Sequence, residues 1–223
     1  MDSPKESLHN ETEQESVKQK RPHKIYKMIL IGNTGVGKTS LIQKALKNEF
    51  SPDIQSTIGF QYSNIIATVN NKKILLQTWD ICGQDLFHSL IDSFYKRANL
   101  TILVYSIDDR ESFDALNFWL GEIRTYARKI NKIVLVGNKK DIGRENRKVS
   151  YEEGKEFYMD NQLDMFFEAS AKEGINASEI FTQSVEMLYE CDKKRHKIKE
   201  DTFYLNEEKD KEENTGKSCE ECY

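Results

Sequence analysis

The sequence predicts an α/β fold: a mostly parallel six-stranded sheet with one antiparallel edge strand and helices on both faces. Two observations carry the prediction. Short apolar runs of strand length alternate with segments whose apolar residues recur at helical spacing, which places parallel strands side by side with helices covering them. Residues 60–69 and 73–79 are β-rich and separated only by Asn70-Asn71-Lys72, a polar turn of the kind that joins antiparallel neighbours.

The elements follow in order. Residues 25–31 form an apolar run that stops at Gly32, as a buried strand would, and residues 37–46 read as a helix. The hairpin of 60–69 and 73–79 comes next. Residues 100–105 and 132–136 are two further compact apolar runs. Between them, residues 111–129 set Phe113, Leu116, Leu120 and Ile123 at helical spacing, with Arg and Glu on other faces. A last strand over 165–168 precedes a helix over 177–191. Sheets of this type bind ligands at the carboxyl ends of their strands, and each chemical motif below falls at such an end. No internal repeat of solenoid length is present.

With 223 residues the chain fits one domain with flanking tails. The hydrophobic fraction of 38% is low, but the deficit sits at the two ends. Residues 1–22 are therefore expected to be a disordered arm, 23–192 a folded domain and 193–223 a disordered tail. The arm lacks the apolar run of a signal peptide, and Asp2 replaces the glycine needed for N-myristoylation. No stretch has the apolar length of a membrane span. Four unevenly placed cysteines suggest a reducing compartment, and two Asn-x-Ser/Thr matches at Asn10 and Asn176 are chance without a secretory signal. A net charge of −4 with no basic, aromatic-interleaved stretch argues against nucleic acid as a partner.

Gly32-Asn33-Thr34-Gly35-Val36-Gly37-Lys38-Thr39 lies between a predicted strand and a predicted helix, the context in which this spacing cradles phosphates. Glycines let the backbone wrap closely round phosphate oxygens while successive N–H groups and the positive helix end face the anion. Lys38 is expected to reach the β- and γ-phosphates and the Thr39 hydroxyl to bind Mg²⁺. An ordinary glycine-rich turn would explain Gly32 and Gly37 but neither Lys38 nor Thr39. The loop alone leaves ATP and GTP open.

Asn138-Lys139-Lys140-Asp141 follows the strand ending Leu135-Val136-Gly137. The Asp141 carboxylate can accept from both the N1–H and the exocyclic amine of guanine, whereas adenine offers neither donor and would leave it unpaired. The tetrapeptide by itself could be a plain polar turn. A second segment, Glu168-Ala169-Ser170-Ala171-Lys172, ends the last strand, and a backbone N–H near Ala171 is placed to meet the guanine carbonyl oxygen. Lys139 and Lys172 would lay their stems along the base.

In order and approximate spacing, these three segments resemble the Ras-like small GTPase superfamily over residues 25–191. The resemblance implies a P-loop NTPase fold that binds GTP or GDP with Mg²⁺, acts as a monomer and hydrolyses GTP to GDP. It carries the phosphate contacts to Gly32, Asn33, Thr34, Gly35, Val36, Gly37, Lys38, Thr39 and Ser40. The base contacts fall on Phe50, Asn138, Lys139, Asp141, Ser170, Ala171 and Lys172. For Phe50, an edge-on contact with guanine stands beside plain core packing.

Trp79-Asp80-Ile81-Cys82-Gly83-Gln84-Asp85 resembles the family's Trp-Asp-Thr-Ala-Gly-Gln-Glu segment. That likeness implies that Asp80 holds Mg²⁺ through a water, that the Gly83 N–H binds the γ-phosphate and that Gln84 orients the attacking water, the catalytic role. Ser56-Thr57-Ile58-Gly59 resembles the first switch, where Thr57 adds a second hydroxyl to Mg²⁺ while γ-phosphate is present. The expected metal set is thus Thr39, Thr57 and Asp80. Ile81 and Cys82 depart from the pattern, and Cys82 is expected to be a small buried thiol.

Residues 56–60, 94–98, 103–107 and 118–123 resemble the Rab branch, which implies a switch in vesicle traffic. Its partners would be exchange factors, GTPase-activating proteins and effectors; its place would be the cytosol and the cytoplasmic face of an internal membrane. Phe60-Gln61-Tyr62 and Asp85-Leu86-Phe87-His88 depart from the Rab pattern. Cys219 and Cys222 resemble a double-prenylation site with unusual spacing, and two unmodified thiols remain the alternative. A guanine-nucleotide-binding scaffold with little hydrolysis is the alternative function.

Overall fold

The computed structural model of the chain describes residues 21–52, 57, 59–82 and 88–215, with side chains described except over 88–91 and 199–215. Most of the expected arm, residues 1–20, and the last eight residues lie outside them. The element order is β1 (Lys24–Ile31), α1 (Lys38–Lys47), β2 (Phe60–Val69), β3 (Lys72–Ile81), α2 (His88–Arg97), β4 (Leu100–Ser106), α3 (Arg110–Asp114), α4 (Leu116–Tyr126), β5 (Lys132–Asn138), α5 (Tyr151–Asp160), β6 (Met165–Glu168) and α6 (Ala177–Thr215).

The strands form one six-stranded sheet in the order β2-β3-β1-β4-β5-β6. Only β2 runs antiparallel, paired along its length with β3 from Phe60↔Ile81 to Val69↔Lys72. All other pairs are parallel. This is the sheet the sequence predicts, with the hairpin at the edge.

Both faces are covered, and β1 shows why residues 28–31 are continuously apolar. Met28 and Leu30 point into a core built with α1 and α6, including Leu41, Ile180, Phe181 and Val185. Ile29 and Ile31 point into the opposite core with Tyr95, Leu116, Trp119 and Ile123. Alternate side chains of a strand serve opposite faces, so a strand buried on both sides leaves no polar position to spare.

Several elements differ from expectation. The helix expected over 111–129 is two pieces joined at Ala115, which itself stays right-handed at φ −70°, ψ −10°. It ends at Tyr126, where Ala127 turns extended at φ −78°, ψ 157° and a tight turn closes from Asn131 N–H to Arg128 O at 2.8 Å. Helices α2 and α5 were not read from the sequence. For α5 a signal was there: Ser150 and Glu153 form a capping box, with Ser150 Oγ accepting from Glu153 N–H at 3.1 Å and Glu153 Oε2 from Ser150 N–H at 2.8 Å.

The largest difference is at the end of the domain. The boundary expected at 192, with a disordered tail from Lys193, is not a break in the backbone: α6 runs on to Thr215, 39 residues in all. No Gly or Pro interrupts residues 177–215, and Glu and Lys, both good helix formers, dominate the extension. Asp192, at the expected boundary, is tied back to the sheet by Tyr26 Oη at 2.9 Å and Lys24 Nζ at 2.9 Å.

Candidate functional site

At the sheet's centre β1 lies between β3 and β4, so chain order reverses across it and a crevice opens beyond the carboxyl ends of the strands. A cleft of about 550 Å³ sits there, lined at one end by Lys38, Thr39 and Thr57 and at the other by Asn138, Asp141 and Lys172. Residues from four separate stretches of sequence thus meet in one concavity.

The phosphate-loop segment leaves β1 at Gly32 and enters α1 at Lys38. Two of its glycines are required by space as well as by dihedral angle. Gly32 has φ +136°, and a Cβ there would lie 2.1 Å from Val104 O; Gly37 has φ +91°, and a Cβ would lie 2.2 Å from Asn138 Nδ2. Lys38 is 6% exposed, with Nζ donating to Gly32 O at 2.8 Å and Asn33 O at 2.9 Å. Thr34, Gly35 and Ser40 also line the cleft.

Beside Lys38, three oxygen-bearing side chains converge. Thr39 Oγ1 donates to Asp80 Oδ2 and lies 2.9 Å from Thr57 Oγ1, while Thr57 Oγ1 reaches Asp80 Oδ2 at 3.5 Å. Asp80 is 1% exposed at the end of β3, and its Oδ1 is buried with no hydrogen-bond partner among the described residues. Burial pushes the Asp80 carboxyl up, against the Thr39 bond and the Lys38 charge that lower it. Burial pushes the Lys38 ammonium down to about 8, with Asp80 acting against it. A buried carboxylate with an orphaned oxygen and two hydroxyls is the hard-oxygen donor set that suits Mg²⁺, and a desolvated ammonium facing the same space suits a phosphate.

At the other end, Asp141 and Ser170 are joined, Ser170 Oγ donating to Asp141 Oδ1 at 2.6 Å and itself accepting from Glu173 N–H at 3.0 Å. Lys172 Nζ lies 3.8 Å from Asp141 Oδ2. Lys139, left-handed at φ +67°, pairs its Nζ with Asp108 at 3.2 Å. Asn138 links both ends: its Nδ2–H donates to Val36 O at 2.8 Å and its Oδ1 accepts from Ala171 N–H at 3.2 Å. The Ala171 amide expected to meet a guanine carbonyl is therefore engaged by Asn138, because the side-chain oxygen at the end of β5 reaches it first. Phe50 is 38% exposed and lines the cleft, so it is not part of the packed core. Cys82 is buried at the cleft wall.

Gly83, Gln84, Cys219 and Cys222 lie outside the described residues. The structure adds residues that sequence reasoning missed. Glu168, 5% exposed at the end of β6, is gripped by Arg147 through Nη1 at 2.6 Å and Nη2 at 2.9 Å, and its carbonyl accepts from Asn176 Nδ2 at 2.7 Å. This two-pronged pair fixes the base of the 168–172 segment. Asp108 likewise sets the position of Lys139. Asp108 carries no sequence motif; Glu168 was read only as the first residue of the 168–172 segment, with no role of its own.

Comparison with known proteins agrees with this geometry. A model of the Ras family matches residues 27–190. The Ras-related protein Rab-2B of Dictyostelium discoideum is 39% identical over 164 residues, covering 74% of this chain and 80% of that protein. Among the described residues, no helix is long and apolar enough to cross a membrane.

Proposed function

Because the chain belongs to the Ras family, in its Rab branch, and is a small GTPase that hydrolyses GTP, we propose that it works as a molecular switch in intracellular membrane traffic, binding GTP and GDP with Mg²⁺ in the cleft beyond β1. The observation that carries this reading is that one cleft joins the Lys38, Thr39, Thr57 and Asp80 cluster to the Asn138, Asp141 and Ser170 cluster. A nucleotide needs both ends at once.

Backbone N–H groups of residues 33–40 and the Lys38 ammonium bind the phosphates. Thr39, Thr57 and Asp80 would hold Mg²⁺, which would supply neutralisation of phosphate charge. Asp141 selects guanine, with Ser170 holding one carboxylate oxygen so that the group is oriented before the base arrives. Phe50, Lys139 and Lys172 flank the base. Gln84 orients the attacking water and the Gly83 N–H meets the γ-phosphate, while Thr57 responds to whether γ-phosphate is present. Residues 23–192 form the nucleotide-binding unit; Cys219 and Cys222 take lipid, which brings the protein to the cytoplasmic face of an internal membrane. Exchange factors, GTPase-activating proteins and effectors are its partners.

Turnover tests this. Purified protein is expected to release phosphate from GTP, and Gln84→Leu to slow release at least about tenfold, as losing a water-orienting group does. Asp141→Asn is expected to weaken GTP and improve binding of xanthosine triphosphate, whose C2 oxygen replaces the amine. Equal turnover in the Gln84 variant would remove that residue's role, and unchanged base preference would remove Asp141 from the base site.

A further inference from the structure

The geometry points to Trp119 as a positioning residue for the phosphate loop, an inference that rests on reading residues 32–40 as the phosphate cradle. Trp119 stands on α4, 7% exposed in the apolar core beneath that helix. A buried indole needs a partner for its N–H. Here that partner is Asn33 Oδ1 at 2.8 Å, a side chain within the loop and 86 positions away in sequence.

Residue 33 is held twice, and the two holds are not equivalent. Its carbonyl accepts from Lys38 Nζ at 2.9 Å, while its side chain accepts from the indole. An ammonium that turns toward a phosphate oxygen loosens its hold on the carbonyls of Gly32 and Asn33 just when the loop must keep its shape. The indole bond makes no use of that ammonium and stays. On the loop's second half, Asn138 Nδ2 holds Val36 O at 2.8 Å. The loop is thus clamped from outside at residue 33 by α4 and at residue 36 by the end of β5.

The consequence is for retention of nucleotide. The loop binds through amides that must point at one anion, and a turn of the peptide after residue 33 would swing one of them away. One buried hydrogen bond supports a change of about three- to tenfold in an equilibrium or rate.

Two measurements test this: release of a fluorescent GDP analogue with Mg²⁺ present, and the indole N–H signals of ¹⁵N-labelled protein. The chain has only two tryptophans, so Trp119→Phe assigns both signals. Trp119→Phe and Asn33→Leu are each expected to speed release about three- to tenfold, with the double variant no faster than the quicker single one. Asn33→Leu, which leaves the core untouched, should also shift the Trp119 indole signal upfield, and Asn117→Ala, on the exposed face of the same helix, should change neither. Release at the wild-type rate in Asn33→Leu, or additive effects in the double variant, would overturn the inference. If the wild-type chain holds no GDP at all, the reading of the cleft falls first; a Trp119 signal indifferent to Asn33→Leu would sink the tether on its own.

Discussion

Arg147 and Glu168 illustrate how a single pair supports the site from behind. Glu168 is nearly sealed from water, and both of its oxygens are occupied by one guanidinium. Removing one partner of such a pair leaves a buried charge, which typically costs 3–5 kcal/mol. Arg147→Met is therefore expected to lower stability by about 3 kcal/mol, near the bottom of that range because Lys140 Nζ remains 4.0 Å from the carboxylate. Chemical denaturation would show it, and adding Glu168→Gln should recover part of the loss; a variant as stable as the parent would mean the pair is solvated in practice. At this scale the sequence was legible where chemistry demands a residue type. Gly32 and Gly37 could be read because only glycine tolerates the contacts there. Arg147 could not, because an arginine before a polar turn looks the same whether it faces water or a buried carboxylate.

Among the elements, α5 was invisible to periodicity and visible in its cap. Only Gly154 of that helix is fully buried, so its apolar stripe is faint. Its start is nevertheless well defined. Ser150→Ala removes the acceptor for Glu153 N–H and is expected to cost about 1 kcal/mol in denaturant titrations. The backbone bond from Ser150, with help from Arg110 and the Ser150 hydroxyl, holds the Glu153 carboxyl down to about 2. Its folded pKa thus lies below the unfolded value of about 4.3, so its stabilisation is complete above that value and fades as pH falls toward about 2. Glu153→Gln should therefore flatten the acid side of a stability–pH curve in that window; an unchanged acid limb would show that other carboxylates dominate. The strands were the most legible elements, β4 above all, because burial on both faces forces a continuous apolar run. Helix ends were less so: α4 stops where tertiary packing, not composition, turns the chain.

Across the whole molecule, α6 is at once part of the core and the route out of it. Ile180, Phe181 and Val185 are buried against the sheet, and Tyr189 and Asp192 still contact it, Lys72 Nζ meeting Tyr189 Oη at 2.9 Å. A chain ended after residue 198 should melt within about 2 °C of the full chain, whereas one ended after 188 should melt about 5 °C lower or more, since each kcal/mol shifts a domain of this size by about 2–4 °C. Equal melting of the two would mean that the Asp192 anchor adds nothing. Composition had suggested that order stops near 192; the helix nevertheless runs on to Thr215, since no Gly or Pro interrupts the helix formers beyond that point.

The bridge made by Asn138 has a mechanical consequence. With one amide group it fastens the 32–38 loop at Val36 to the 168–172 segment at Ala171. On the function proposed above, the two ends of the cleft would act on a nucleotide as a chelate on a stiff frame: while one holds, the other is kept at high effective concentration and recloses quickly. A regulator that wants the nucleotide out need not cover the whole cleft. Because Asn138 is shared, displacing the Val36 side would also disturb the partner of the Ala171 amide, leaving neither end firm while the other recloses.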